Sequence, residues 1–361
     1  MIVANIILPM KRRGQGGRED GICMSGNDKK YNPPFTPNER IINLVAEISA
    51  LVRHIVILED LADTLRLRKE NRIKSIQSSL AIENNTLTVE QVTAILNGKR
   101  VLAPPNDIRE AVNAGAAYEL MAALDPYSMD DLLKAHGAMM GGLRLDAGQF
   151  RAGEVGVFAG GEVIHMAPPA SLVWPHMHSL FEWLRSTDSH PLIASSLFHY
   201  EFEFIHPFSD GNGRMGRYWQ SLILSHWQSI FAWIPIETVI KERQREYYRA
   251  LQEAQSCGDD AVFVEYMLSA IWEALKEQFQ SVQENVHVSV QENQNVAKLL
   301  AVLGNRTLSA SEIMQRVGIK SRDGFRRNWL KPALALGVIE QTNPQHPRAR
   351  NQRYRRVERK K

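Results

Sequence analysis

The chain has 361 residues, an apolar fraction of 44% and a formal net charge of +3, which suits a globular protein of two or three domains. Its two cysteines, Cys23 and Cys257, lie far apart, so we expect neither a disulfide framework nor a zinc site. No apolar run approaches the roughly 20 residues of a membrane span, and the apolar stretch 2–10 precedes its basic residues, the wrong order for a secretory signal. We therefore expect a cytoplasmic protein with no membrane partner.

The N-terminal part of the chain changes character near residue 36. Residues 1–35 are dominated by Arg, Gly, Asp and Asn, which predicts a disordered tail, and translation from Met24 instead of Met1 stays an open alternative. From Thr36 onward, apolar spacing predicts a helical region 36–105 and a helical core 106–286. The predicted helices are 37–54, 61–83, 88–97, 106–124, 129–143, 171–186, 190–205, 212–227, 236–256 and 260–286.

One segment departs from the helical pattern. Residues 153–169 alternate around the Gly160-Gly161 pair, which predicts a β-hairpin in a largely helical chain. The predicted strand residues are Val155, Val157, Val163 and Ile164.

Residues 206–217 hold a base, a carboxylate, a glycine-rich turn and two arginines in one short run, His-Pro-Phe-Ser-Asp-Gly-Asn-Gly-Arg-Met-Gly-Arg. Pro207 predicts the end of the apolar helix before it, because proline disfavours helical geometry in the preceding residue. His206 then lies at the helix terminus, where an imidazole can act as a general base. Asp210 offers an oxygen ligand of the kind that Mg²⁺ takes beside substrate phosphates.

The second half of this run predicts an anion-binding turn. Gly211 and Gly213 allow sharp turns and a close approach to a ligand, and Asn212 tolerates unusual backbone angles and can donate a hydrogen bond. The next helix points its N-terminal N–H groups at this turn, and Arg214 and Arg217 share one of its faces. Each residue alone also fits an ordinary role, such as a buried histidine, a turn aspartate or a solvated arginine. Together they favour phosphoryl or nucleotidyl transfer.

This run resembles the signature of the Fic (filamentation induced by cyclic AMP) family, His-Pro-Phe-x-Asp-Gly-Asn-Gly-Arg-x-x-Arg, at every fixed position. The resemblance implies an all-α Fic core and transfer of AMP from ATP, with Mg²⁺, to a Ser, Thr or Tyr hydroxyl of a target protein. It makes His206 the base and Asp210 the metal ligand. It assigns the ATP phosphates to Gly211, Asn212, Gly213, Arg214 and Arg217. The related Doc kinases have a Lys in place of Gly213, which favours AMP transfer over phosphorylation.

Two further segments fit the resemblance. Residues 79–85, Ser-Leu-Ala-Ile-Glu-Asn-Asn, are similar to the Fic inhibitory motif, whose fixed positions here are Ser79, Glu83 and Asn85. The resemblance implies that Glu83 reaches Arg217, where a carboxylate would repel the γ-phosphate of ATP. The ordinary alternative is a helix C-terminus that ends in Asn-Asn. The hairpin at 153–169 is similar to the Fic flap, which holds a segment of the target by strand pairing.

The C-terminal segment differs sharply in charge from the rest of the chain. Residues 293–361 hold 16 Lys and Arg against 4 Asp and Glu, a net of +12, whereas residues 1–292 hold 27 against 36, a net of −9. This shift predicts a separate module. Its pattern resembles the winged helix-turn-helix domain that some bacterial Fic proteins carry. We expect three helices, Asn295–Leu303, Ala310–Val317 and Arg322–Leu336, and a two-stranded wing, Val338–Gln341 and Gln352–Val357, with Ser309 and Ser321 as helix caps.

The third helix and the wing of this module are rich in basic residues, which suits either phosphate contacts to DNA or the docking of a protein partner. The sequence leaves both open. The basic residues are Arg322, Arg326, Arg327, Lys331, Arg348, Arg350, Arg353, Arg355 and Arg356.

The leading hypothesis is a protein AMP transferase that Glu83 inhibits. One alternative reverses the chemistry, with Glu83 positioning a water that removes AMP from a modified protein. Another alternative is a DNA-binding regulator whose Fic core senses a ligand. A homodimer stays open, and the sequence does not reveal the target protein.

Overall fold

The computed structural model describes residues 31–59, 65–159, 162–291, 294–335, 338–345, 349 and 352–357. Most of the predicted tail 1–35 therefore lies outside the described residues. These residues fall into two compact units, Met1–Ala46 with Arg68–Ala274, and Glu47–Leu67 with Leu275–Lys361. Among the described helices, none combines the length and the apolarity that a bilayer crossing requires.

Among the described residues up to 291, the regular elements are helices apart from one hairpin, which confirms the predicted mainly α fold class. The helices are α1 Glu39–Glu59, α2 Leu65–Ile82, α3 Val89–Leu96, α4 Pro105–Leu120, α5 Met129–Met140, α6 Ala170–Ser186, α7 Pro191–Ile205, α8 Asn212–Trp227, α9 Ile236–Glu242, α10 Gln244–Cys257 and α11 Ala261–Gln291, with short 3₁₀ turns at Met121–Ala123 and Ser229–Ala232.

Several of the predicted helix boundaries were wrong. Helix α1 extends to Glu59 instead of ending at 54, and α11 extends to Gln291 instead of ending at 286. The predicted helix 236–256 is two helices, because Arg243 leaves helical geometry with φ −110° and ψ 34°. The predicted helix 129–143 ends at Met140, where Gly141 turns to φ −56° and ψ 125°. The predicted start of α2 at residue 61 lies outside the described residues.

Helices α7 and α8 form the centre of the first unit. Their side chains are buried on every face, as Phe198, Phe202, Trp219 and Leu222 illustrate with 0% exposure. A helix that is apolar all round has to be surrounded by other elements. The turn between α7 and α8 carries residues 206–211, and the first turns of α8 carry residues 212–217, so both parts of the signature run are attached to buried helices.

The predicted hairpin is present as β1, Gly156–Ala159, paired antiparallel with β2, Glu162–Met166. Ala159 lies opposite Glu162. The predicted Gly160-Gly161 turn lies outside the described residues. Val157, Val163 and Ile164 lie in the strands as predicted. Val155 does not, because it precedes β1 and is buried with 4% exposure.

The second unit contains the charge-rich C-terminal segment. Its helices are α12 Gln294–Leu303, α13 Ala310–Val317, α14 Arg322–Phe325 and α15 Lys331–Ala335, and its antiparallel sheet has the order β3 Leu308–Ser309, β5 Arg353–Arg356, β4 Ile339–Gln341. The predicted caps are confirmed: Ser309 and Glu312 form a capping box, and the Ser321 hydroxyl accepts the Gly324 N–H at 3.2 Å.

The predicted continuous helix 322–336 is interrupted by a π-helical turn at Arg326–Leu330. The Lys331 N–H bonds to the Arg326 carbonyl, one residue further back than in an α-helix. Pro332 follows directly, and proline has no N–H and clashes with the carbonyl four residues earlier. The wider turn before Pro332 accommodates that clash.

Candidate active site

His206 closes α7 in a left-handed backbone conformation, with φ 51° and ψ 61°. This conformation costs a non-glycine residue about 1–2 kcal/mol, and the His206 N–H offsets part of it by bonding to the Phe202 carbonyl at 2.9 Å. The His206 Nδ1 lies 3.3 Å from the Glu203 carbonyl oxygen. Since a carbonyl only accepts, Nδ1 carries the ring hydrogen and Nε2 keeps the lone pair. Nε2 is therefore the basic atom.

The loop after His206 is held by its own side chains. The Asn212 amide accepts the Phe208 N–H and donates to the Phe208 carbonyl, both at 2.9 Å. The side chain of Asn212 is thus used within the loop, and its backbone N–H is the group left for an anion at the N-terminus of α8. Gly211 has φ +83°, and a Cβ there would lie 2.7 Å from Met140 Sδ, so glycine is required.

Arg217 is buried in α8, with 1% of its side chain exposed, and it meets the predicted inhibitory motif. Its Nε donates to the Ser79 hydroxyl at 3.1 Å, and its Nη2 donates to the Ser79 carbonyl at 3.0 Å and to Glu83 Oε1 at 2.9 Å. Burial opposes the charge of Arg217, but the Glu83 carboxylate and other neighbours together raise the pKa of the guanidinium. Removing either partner would therefore leave the other without compensation.

Arg214, one turn earlier, is held by a different set of acids. Its Nη1 lies 3.0 Å from Glu110 Oε1, and its Nη2 lies 3.4 Å from Asp210 Oδ1. The Asn85 amide donates to Glu110 Oε2 at 2.8 Å, so the third fixed residue of the inhibitory motif supports Arg214 through Glu110. Sequence reasoning missed Glu110, which lies on α4, 104 residues from its partner.

Glu203 is an acid next to His206 that sequence reasoning also missed, and 12% of its side chain is exposed. Burial raises the pKa of Glu203 to about 8, so its carboxyl is protonated at neutral pH. Its Oε2 lies 4.0 Å from His206 Nδ1, and its Oε1 lies where a Cβ at Gly216 would come within 2.6 Å. Gly216 therefore makes room for it. Their i, i+3 spacing on a helix was the signal that could have found the pair Glu203 and His206.

Two further histidines are structural. His199 lies between Gln220 Oε1 at 2.6 Å and the Tyr247 hydroxyl at 3.1 Å, and burial lowers its pKa to about 3. His136 stacks on Phe208 with ring centroids 3.6 Å apart.

The neutral form of His136 holds the signature loop in place by a hydrogen bond to the backbone of Asp210. Its Nδ1 accepts the Gly148 N–H at 2.9 Å, so its Nε2 donates to the Asp210 carbonyl at 3.0 Å. Burial lowers the pKa of His136 to about 4, which keeps this tautomer at neutral pH. No local sequence signal marks His136, because its partners are distant in the chain.

Asp210 is the one signature residue that suits a cation. Its side chain is 39% exposed, and its Oδ1 accepts the Gly211 N–H at 2.7 Å. Within the described parts of the chain, no group of three or more His, Cys, Asp or Glu residues is arranged to hold a metal. A single exposed carboxylate fits Mg²⁺, which usually takes one or two carboxylates and completes its shell with phosphates and water.

Comparisons with known proteins identify the family of this chain. The model of the Fic/DOC family matches residues 126–224, and the model of the Fic-like C-terminal domain matches residues 294–356. The crystal structure of a Fic family protein from Desulfovibrio desulfuricans G20 is 48% identical, covers 92% of this chain and 100% of its own, and has a TM-score of 0.67. The chain belongs to the Fic family.

Curated relatives carry a more specific name. Proteins named "Protein adenylyltransferase Fic" from Aedes aegypti and Culex quinquefasciatus are 30% and 31% identical over 213 and 214 residues, which is 56% of this chain in each case. The matched region covers 40% of the length of either relative.

Proposed function

We propose that this protein transfers AMP from ATP to a hydroxyl side chain of a target protein, and that Glu83 restrains the activity. The observation that carries the proposal is the signature turn itself. One loop and helix supply the His206 base, the N-terminus of α8 and two buried arginines. Relatives that are named protein adenylyltransferases support the same reaction.

The transfer follows from the chemistry of these groups. His206 Nε2 accepts the proton of the target hydroxyl, and the hydroxyl oxygen forms a bond to the α-phosphorus of ATP. The bond from that phosphorus to the oxygen bridging to the β-phosphate breaks, and pyrophosphate leaves. Arg214 and the first N–H groups of α8 bind the phosphate oxygens where charge accumulates. Asp210 would hold Mg²⁺, which when bound neutralises phosphate charge.

Glu83 occupies the guanidinium edge of Arg217 that a γ-phosphate would otherwise take. The two groups are 2.9 Å apart, and a carboxylate at this position repels a phosphate and removes its partner. ATP then binds with its α-phosphate misplaced for in-line attack, which slows transfer without a change in the catalytic loop.

The test uses ATP labelled at the α-phosphate, with Mg²⁺, with and without cell lysate. Wild type, Glu83→Gly, and Glu83→Gly with His206→Ala are compared, and Glu70→Gly serves as the control for an acid replaced on α2 itself. We expect labelled protein from Glu83→Gly only. If Glu83→Gly labels no better than wild type, inhibition by Glu83 is wrong, and if no variant labels protein, AMP transfer is wrong.

The same site also allows the reverse chemistry. The Glu83 side chain is 24% exposed although it contacts Arg217, so it can face a water molecule. In that case Glu83 positions the water that hydrolyses AMP from a modified protein. Protein labelled by Glu83→Gly provides the substrate, and removal of its label by wild type but not by Glu83→Gly would identify the hydrolase.

A second candidate function belongs to the C-terminal unit, whose arginines favour nucleic-acid binding over an uncharged partner. Phe325 and Trp329 of the third helix are buried in the core, whereas Arg322, Arg326 and Arg327 are exposed. Binding of full-length protein to a mixed-sequence DNA duplex should weaken steeply with salt. If the affinity for DNA does not depend on salt concentration, docking of a protein partner is favoured instead.

Three sequence-based predictions stay predictions. They are the domain boundaries at 36–105, 106–286 and 293–361, the cytoplasmic location, and the homodimer. Light scattering on the full-length protein decides the last of these.

A further inference from the structure

Arg151 is a buried arginine outside the signature run, and it lies between the hairpin and the catalytic loop. It is 4% exposed, and the donors of its guanidinium end on backbone carbonyls. A cation that is almost fully buried is costly unless its donors are satisfied. The acceptors that satisfy Arg151 therefore indicate what the side chain holds together.

The acceptors come from two places. Nη1 donates to the Gly153 carbonyl at 2.9 Å and Nη2 to the Pro168 carbonyl at 2.5 Å. Gly153 precedes β1 and Pro168 follows β2, so these two bonds hold both stems of the hairpin. The Ala170 N–H donates to Glu154 Oε1 at 3.2 Å, which ties the first stem to the start of α6.

The other acceptors belong to the end of α7. Nε donates to the His206 carbonyl at 2.8 Å, and Nη2 also reaches the Ile205 carbonyl at 3.4 Å. The backbone N–H of Arg151 bonds to the Pro207 carbonyl at 2.9 Å. The carbonyls at a helix C-terminus have no intrahelical partner, and here one side chain supplies it. It does so at the residue whose left-handed backbone aims the base.

We propose that Arg151 is a positioning residue that couples the hairpin to His206, so that a protein segment lying along the hairpin is held in register with the imidazole. The inference rests on the proposed function, because that segment is the target. The hairpin is a two-stranded sheet, and an extended segment can add a strand to such an edge. A displacement of about 1 Å at the reacting atoms can cost a transfer reaction roughly 100-fold.

The planar fork of arginine is what makes this coupling hard to replace. Its donors point in fixed directions and reach carbonyls on two separate elements at once. Lysine keeps the charge but places it at one point, so it can hold the hairpin or the catalytic loop but not both in register. The conservative variant therefore separates a need for charge from a need for geometry.

The test compares Arg151→Gln and Arg151→Lys in the Glu83→Gly background, with Arg185→Gln as the matched control. Arg185 also donates to a carbonyl, that of Tyr127, but its side chain is 42% exposed and lies away from the hairpin. Four quantities are measured: the melting temperature, deuterium uptake by backbone amides, ATP binding by calorimetry, and transfer of label to protein.

We expect Arg151→Gln to raise deuterium uptake at 153–159, 162–168 and 205–208 while α8 stays protected. ATP affinity should change by less than about threefold, and label transfer should fall at least ~10-fold. Arg151→Lys should restore the melting temperature but not the transfer rate, and Arg185→Gln should match its parent. If Arg151→Gln does not fold, Arg151→Lys alone carries the test.

The coupling is overturned if the hairpin and 205–208 exchange as in the parent, or if Arg151→Lys transfers label at the parent rate. It is also overturned if ATP affinity falls in parallel with transfer, since that result describes a general structural role. Absence of label from the Glu83→Gly parent would instead overturn the proposed function, and deuterium uptake would still decide the coupling.

Discussion

The arginines of the signature run in the first unit and those of strand β5 in the C-terminal unit differ sharply in exposure. Arg214 and Arg217 have 5% and 1% of their side chains exposed, and each is paired with acids of the same chain. In the C-terminal unit, Arg353 and Arg355 are 50% and 59% exposed even where they contact an acid. A buried arginine contributes the directions of its donors, whereas an exposed arginine contributes its charge. The same residue type therefore predicts a phosphate-positioning group in one unit and an electrostatic surface in the other.

Replacing arginine by lysine should separate these two uses most strongly. In the Glu83→Gly background, we expect Arg217→Lys to reduce AMP transfer by about 10- to 100-fold, because lysine cannot reproduce the fork that meets a phosphate. Arg326→Lys should change the dissociation constant for a DNA duplex by less than about twofold, because the charge is retained. Rates of label transfer and fluorescence titrations provide the two numbers, and equal effects would break the comparison.

The ion pair at Arg217 should also be visible in stability. Glu83→Gln leaves a buried guanidinium without its carboxylate, so we expect the free energy of unfolding to fall by about 1–3 kcal/mol without nucleotide. The range is below that of a fully buried pair because Glu83 is 24% exposed. Urea unfolding measures the change, and Glu70→Gln on α2, which ends one residue before Glu83, is the control. A variant as stable as wild type would mean that the pair contributes nothing.

The acid Glu203 should give the first unit an unusual dependence on pH. The folded state keeps its proton up to about pH 8, whereas the unfolded chain releases it near the ordinary value for glutamate. Stability should therefore fall as pH rises between those values, by at most ~1.4 kcal/mol per pH unit. The ionisable groups around it include His199, His206, Arg217, Glu83, Tyr247 and Tyr248.

Urea unfolding of wild type and Glu203→Gln at pH 5.5 and 7.5 checks this slope. The stability difference should grow in favour of Glu203→Gln at the higher pH. The control is the matching variant Glu312→Gln in the C-terminal unit. Hydrogen bonds from Ser309 lower the pKa of Glu312, so this carboxylate stays ionised throughout the window and its replacement should not change the slope. Parallel pH profiles for wild type and Glu203→Gln would show that Glu203 is ionised in the folded state.

The smallest effect on stability is expected on the exposed helix of the C-terminal unit. Replacing Arg322, Arg326 and Arg327 together by Gln should leave the free energy of unfolding within about 0.5 kcal/mol of wild type. If the helix binds DNA, the slope of log binding constant against log salt should drop by roughly 0.9 for each phosphate that the variant no longer neutralises. An unchanged slope would place the DNA-binding surface elsewhere.

The sequence was sufficient for local features and insufficient for distant ones. The order of the helices, the hairpin, the helix end at Pro207 and the caps at Ser309 and Ser321 were predicted, because each depends on neighbouring residues. The break at Arg243 was missed, since no proline or glycine marks it. The spacing of apolar residues in 236–256 is compatible with one helix or with two.

The supporting residues of the site could not be found in the same way. Glu110, His136 and Arg151 contact the signature run across 104, 74 and 55 positions of sequence. None of them lies in a motif of its own that specifies this contact, and only the fold brings them there. The sequence suggested candidates for the chemistry, which stay predictions, and it did not indicate the distant residues that hold these candidates in place.

Two glycines on one face of α8 give this site a steric property that charge alone does not describe. A Cβ at Gly213 would overlap the Glu83 carboxylate, and a Cβ at Gly216 would lie 2.6 Å from Glu203 Oε1. Both acids fit against the helix because no side chain is present. The contact between Glu83 and Arg217 therefore depends on the space that Gly213 leaves beside them. A single methyl group at that position is large enough to separate the two side chains.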